Sequence, residues 1–157
     1  EVRKKVLQEV IRLGDKKKGV SPSDLPFIIA GVLHTPLESR LKVTDFEVST
    51  RYNALPKARV AVEMDGRQVE STATGDGGYD AFVKALRKCL KQFELTMPRL
   101  LDYEVRIPPG GKTDALVEAT ITWDTKGKSL VTTGIDSDQL VAAVLATEKM
   151  LNLVVPR

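Results

Sequence analysis

Apolar and polar residues alternate along two stretches of this chain as a half-buried strand requires, and each such stretch runs into a segment with helical spacing. In the first, Val60, Val62 and Met64 share one face of an extended segment, while Arg59, Ala61 and Glu63 share the other. Segments 43–48 and 67–73 read as its neighbours, with residues 49–57 as a turn-rich gap. Asp65-Gly66 sits between two alternating runs, and both central residues of a type I′ hairpin turn need the positive φ that this pair tolerates. From about Tyr79 the period changes. Tyr79, Phe82, Val83, Leu86, Leu90 and Phe93 form a stripe of i, i+3, i+4 spacing, with Lys84, Arg87, Lys88 and Lys91 outside it.

The same order recurs: 101–107 as strand, Pro108-Pro109-Gly110-Gly111 as a loop, 115–123 and 129–132 as strands, and a helix from about Ser137. Phe46 matches Tyr103 at an offset of 57, and Thr74-Gly75 matches Thr133-Gly134 at 59. The expected fold is α+β, two pseudo-repeated βββα units at about 41–97 and 100–153 within a domain of residues 41–157. Leu140, Val141, Val144, Leu145 and Leu151, with Ala142, Ala143 and Ala146, make the second helix apolar over much of its circumference, which predicts burial on two sides. Asp136 and Gln139 predict a capping arrangement at its start. Residues 1–40 form a separate helical piece, amphipathic over 2–13, with a short helix over 21–33 that Ser23 would cap and that tolerates Pro26 in its first turn.

Charge changes the picture in one respect. The chain has 157 residues and a net charge of +3, which invites a nucleic-acid reading. Residues 1–20 hold seven bases and three acids, and the other 137 hold 17 bases and 18 acids. The body is not basic, and aromatics at 5% are too few for a base-stacking platform, so a nucleic-acid module stands only as a rival reading. No apolar run approaches the roughly 18 residues of a membrane helix. A single cysteine, Cys89, read as a half-buried small residue, excludes an internal disulfide and fits a reducing, cytoplasmic setting. The opening Glu1-Val2-Arg3-Lys4-Lys5 has no initiator Met and no signal-peptide pattern, the expectation for a piece of a longer chain.

Two glycine-rich loops invite a phosphate reading. Gly110-Gly111-Lys112-Thr113 ends like a P-loop, but Arg106 stands where that motif needs glycine and a strand follows where it needs a helix. Thr74-Gly75-Asp76-Gly77-Gly78-Tyr79-Asp80 does open a helix, whose first amides suit an anion. It holds no Lys or Arg to neutralise a triphosphate, which points to a singly charged anion such as a carboxylate; the plain alternative is a flexible strand-to-helix turn. Asp76 and Asp80, one turn apart, serve as a carboxylate pair or complement the helix dipole. His34, the only histidine, has no partner at ligand spacing, so no metal site and no catalytic residue is expected.

Gly75-Asp76-Gly77-Gly78-Tyr79-Asp80-Ala81, Leu101-Asp102-Tyr103, Gly111-Lys112-Thr113-Asp114-Ala115 and the stretch from Gly134 to Asn152 resemble the C-terminal regulatory, LeuA-type domain of 2-isopropylmalate and citramalate synthases, over residues 40 to 153. The departures are Asp76 for the family's Asn, Gly78 for its Pro, and Asp136-Ser137-Asp138 with Gln139 where branched aliphatics are common. The resemblance makes residues 1–40 a linker subdomain. It implies a homodimeric domain that binds the pathway's end-product amino acid and inhibits a distant catalytic barrel absent from this chain. This chain would then have neither activity nor cofactor of its own, while the parent acyltransferase would use a divalent metal ion and acetyl-CoA. The effector is expected to be isoleucine, as in citramalate synthase, with leucine as the alternative. The amides of Gly77, Gly78 and Tyr79, beside Ala81, are assigned to its carboxylate, and Asp80 or loop carbonyls to its ammonium. Leu100, Tyr103, Ile107 and Val117 are assigned to its aliphatic end, with Thr113, Asp114 and Ala115 on the second loop.

Overall fold

The computed structural model of the chain describes residues 3–8, 11, 39–107 and 116–155. Residues 3–8 are helical. The expectations for the 21–33 helix, for His34, for the loop from Pro108 and for Thr113, Asp114 and Ala115 lie outside the described residues. The elements are β1 (Leu41–Arg51), β2 (Ala54–Met64), β3 (Arg67–Thr74) and α1 (Gly78–Lys91), then β4 (Arg99–Arg106), β5 (Val117–Thr125), β6 (Lys128–Asp136) and α2 (Gln139–Val154). They form two three-stranded antiparallel sheets, β1-β2-β3 and β4-β5-β6, each followed by one helix. The fold is α+β, built from two βββα units. One compact unit contains Ser39–Pro98 and the other Arg99–Leu153.

Local chemistry accounts for the hairpins. Asp65 and Gly66 take φ of 52° and 79°, the type I′ turn that their types predict, and Lys126-Gly127 repeats it at 55° and 83°. The expected turn-rich gap at 49–57 is instead mostly strand. β1 and β2 run on to a two-residue connection at Tyr52-Asn53, with Asn53 at φ 62°. Pro56 sits inside β2 because the β1·β2 ladder slips by one residue between Ser49 and Arg51, where no donor is needed; its carbonyl still accepts the Gly75 amide at 3.1 Å.

The ladders also correct the internal alignment. Met64 pairs with Arg67 and Thr125 with Lys128, while Val60 pairs with Ser71 and Ile121 with Thr132. The second hairpin and the helix of each unit therefore correspond at an offset of 61, with Gly78 matching Gln139. The first strands correspond at 57, since Phe46 faces Val60 as Tyr103 faces Ile121. The four extra residues fall in the β4–β5 connection. Gly134 thus corresponds to Ala73, and the Thr-Gly match at 59 is two residues out of register. Each first strand carries an extra residue at the same point, Thr44 in β1 and Leu101 in β4. Such a bulge turns residues three apart to one face, so Val43 and Phe46, like Leu100 and Tyr103, both look toward the helix.

Each helix buries the same seven positions: Ala81, Phe82, Val83, Ala85, Leu86, Cys89 and Leu90 in α1, and Ala142, Ala143, Val144, Ala146, Thr147, Met150 and Leu151 in α2. Burying Phe82, Leu86 and Leu90 contributes roughly 1.5–3 kcal/mol each before chain entropy is counted. Phe46 meets Phe82 edge-on at 5.7 Å. Cys89 is fully rather than half buried, with its thiol 3.4 Å from the Val60 carbonyl and its pKa raised by burial. Leu145 and Leu153 of α2 remain 39% and 38% exposed in the single chain. In its unit the core contains a polar relay: Trp123 Nε1 donates to Thr132 Oγ1 at 3.0 Å, which donates to the Ala146 carbonyl at 2.7 Å.

Glycine sets how near each helix comes to its sheet. A methyl group on Gly134 would overlap the Ala142 carbonyl and come within 2.8 Å of the Ala146 amide. Gly134→Ala is expected to destabilise the protein by about 1–3 kcal/mol through overpacking against backbone. The comparison is Gly66→Ala, whose methyl would meet nothing but whose φ is positive, with a cost of about 1 kcal/mol. Urea unfolding of the two variants checks the order.

Candidate functional site

The loop between β3 and α1 is shaped by its glycines. A Cβ on Gly75 would run into the Ala81 backbone and come within 2.7 Å of the Asp80 carboxylate, so the chain passes directly beneath the first turn of α1. Gly77 is the N-cap residue in extended conformation, its carbonyl accepting the Ala81 amide at 2.9 Å, and no side-chain oxygen caps this end. A Cβ on Gly77 would meet nothing within 4 Å, and one on Gly78 would touch only Val48 at 3.4 Å. Tyr79, half-buried, stacks on Phe82 with ring centroids 6.0 Å apart, and Ala81 is fully buried.

Asp80 braces this loop. Its Oδ2 accepts the Asp76 amide at 2.9 Å and lies 3.0 Å from Lys84 Nζ. The Asp76 amide foremost, then Lys84, holds its pKa below the ordinary carboxylate value. Asp80 thus stands in the first turn of α1, where it complements the helix dipole, with its carboxylate on a backbone amide. Lys84, one turn further along the helix, supplies the cation that the loop itself lacks.

The corresponding end of α2 is built differently. Asp138, at the position equivalent to Gly77, accepts the amides of Leu140 and Val141 at 2.8 and 3.0 Å. Asp138 is thus the cap, and not Asp136, which accepts the Asp138 amide at 2.8 Å. The helix begins at Gln139, so only the residue just before it can reach the second and third amides. Three capping-type residues in a row, Asp136-Ser137-Asp138, hid that choice in the sequence. Tyr103 adds a contact here: its phenol hydrogen-bonds the Gln139 side chain, and burial raises its pKa. Its counterpart in the other unit, Phe46, has no hydroxyl to offer.

The residues assigned to a ligand fall in two groups on different units. Gly77, Gly78, Tyr79, Asp80 and Ala81 are together at the start of α1. Leu100, Tyr103 and Val117 are half-buried on the α2-facing side of the β4-β5-β6 sheet, as their pairing with Trp123, Ile121 and Asp136 dictates, and Ile107 is 69% exposed just past β4. Among the described residues no group of three or more His, Cys, Asp or Glu side chains could hold a metal ion. No helix among them is long and apolar enough to cross a membrane.

Residues 19–155 match the family described as the LeuA allosteric (dimerisation) domain. The chain belongs to that family. Among curated relatives, a protein of Archaeoglobus fulgidus carrying the name (R)-citramalate synthase CimA is 31% identical over 98% of this chain and 31% of its own length. One of the same name from Methanopyrus kandleri is 33% identical over 89% of this chain and 27% of itself. A 2-isopropylmalate synthase of Aquifex aeolicus is 32% identical over 98% and 29%. This LeuA domain therefore spans about a third or less of the relatives it matches.

The brace has a defined pH dependence. A lowered folded pKa means that Asp80 stabilises the loop above its unfolded pKa of about 3.9, and that this is lost as pH falls through the folded value. Hydrogen exchange of the Asp76 amide is expected to accelerate on acidification through that range. In Asp80→Asn the amide should exchange faster already at neutral pH, with global stability changed by less than about 1 kcal/mol because the carboxylate is partly exposed.

Proposed function

We propose that this domain binds a branched-chain amino acid, isoleucine ahead of leucine, and serves as the feedback-inhibition domain of an (R)-citramalate synthase that condenses acetyl-CoA with pyruvate. The family match to an allosteric domain and the names of the relatives support the class. One observation carries the site: of two equivalent helix starts, α2 is closed by the Asp138 carboxylate, whereas α1 begins at Gly77 with no side-chain cap.

On this reading the effector's carboxylate takes at α1 the place that Asp138 takes at α2, held by the amides of Gly77, Gly78 and Tyr79 and by the helix dipole. Asp80 or the loop carbonyls take its ammonium. The repeat then supplies one such site per chain rather than two.

A thermal-shift series with isoleucine, leucine and valine tests the class of ligand. At 100 times its dissociation constant a specific ligand stabilises the fold by about 2.7 kcal/mol. No shift with any of the three, in a folded protein, rejects the sensor reading. Gly77→Asp tests the place. The new side chain has room and installs the cap that α2 already owns, so the variant should match or slightly exceed wild-type stability while losing the ligand-induced shift. A retained shift moves the site elsewhere. Calorimetric titration of wild type is expected to give one amino acid per chain.

A further inference from the structure

We propose that one flank of α2 is the surface on which a second copy of this chain packs. The inference is independent of the ligand reading and starts from the equivalence of the two helices. At the spacing of 61 residues that relates them, Val141, Leu145, Lys149 and Leu153 stand where α1 has Asp80, Lys84, Lys88 and Gln92. Residues four apart form one ridge along a helix, so each set of four is a single row. The row is polar throughout on α1 and carries three aliphatic side chains on α2.

The fourth member of the α2 row, Lys149, does not interrupt it. Its ammonium lies 2.6 Å from the Thr133 carbonyl, which draws the charge onto the sheet and leaves the hydrocarbon stem between Leu145 and Leu153. Val141 is half-buried, and the two leucines are 39% and 38% exposed. Both therefore keep apolar surface that the single chain leaves in water. At the same places α1 meets water with Lys84 and Gln92, which are exposed and polar.

The occupant that suits this row is the same row of a second copy. The family to which the chain belongs is described as a dimerisation domain, which requires a face for self-association. An interface around a two-fold axis uses one patch on both subunits, so the patch must complement itself. The α1 row fails that test, because Lys84, with Arg87 and Lys91 beside it, would meet its own positive charge. On α2 the equivalents of Arg87 and Lys91 are Glu148 and Asn152, and the one base of the row is turned onto the sheet. Two such apolar rows can interdigitate as i±4 ridges do in ordinary helix packing.

The test uses the 157-residue chain and measures self-association by sedimentation equilibrium. Leu145→Lys installs the residue that α1 carries at the equivalent position. It is expected to raise the dimer dissociation constant about tenfold or more, as loss of a central apolar contact does. Lys91→Ala, an exposed change beside the equivalent row of α1, should leave the constant unaltered. A wild-type chain that stays monomeric, or a Leu145→Lys variant with an unchanged constant, rejects the proposal. Should the lysine variant unfold, Leu145→Cys decides the matter. The chain's own thiol, that of Cys89, is fully buried, so a short bismaleimide is expected to join two copies through position 145. Lys91→Cys, treated alike, should give no joined product. Equal yields from the two cysteine variants, or none from either, also reject this face.

Discussion

Each three-stranded sheet has one apolar face and a single helix to cover it, so the distance between helix and sheet governs everything built on them. Small residues set that distance. Gly134 lies so close beneath α2 that a methyl group would strike the Ala142 carbonyl, and Gly75 passes under the first turn of α1 in the same way. On the helices, Ala81 and Ala85 and their counterparts Ala142 and Ala146 are fully buried. A closely seated helix allows Thr132 to hydrogen-bond the Ala146 carbonyl, and Lys88 and Lys149 to reach backbone carbonyls of the outer strands. A wider gap would break all three, and at Thr132 it would leave buried polar groups unpaired, each costing about 1–3 kcal/mol.

The two units share a frame and differ in chemistry. Their helices bury the same seven positions, and their first strands bulge at the same point. Within that frame Val62 becomes Trp123, Ser71 becomes Thr132 and Leu86 becomes Thr147, so one core is chiefly apolar and the other carries a hydrogen-bonded relay. The helix starts diverge in the same manner. A carboxylate occupies one, and glycines leave the other without a side-chain cap.

Much of the fold was legible because it is written in short-range patterns. The alternation of Val60, Val62 and Met64, the Asp65-Gly66 turn and the stripe from Tyr79 to Leu90 each depend on residues a few positions apart. The misreadings share a cause. The segment 49–57 looked like a gap because Pro56 and Asn53 are strand breakers, yet a register slip accommodates one and a turn uses the other. The repeat was misaligned by two residues because Thr-Gly dipeptides were matched by identity; both glycines serve close helix approach, but at different points along their strands. The chemistry of the 75–81 loop was foreseen as a set of residues and not as an arrangement. Nothing in the spacing of Asp76 and Asp80 distinguishes two facing carboxylates from a carboxylate bonded to a backbone amide.

By itself, then, the sequence determined the two βββα units, their apolar faces and the family, since each rests on local periodicity or on a contiguous motif. Only the tertiary structure decided which aspartate caps α2, how the two copies align and which backbone carbonyls the helix lysines satisfy. Those outcomes depend on hydrogen-bond parity across strands and on the height of a helix above its sheet, quantities that join residues distant in sequence and leave no periodic trace along it.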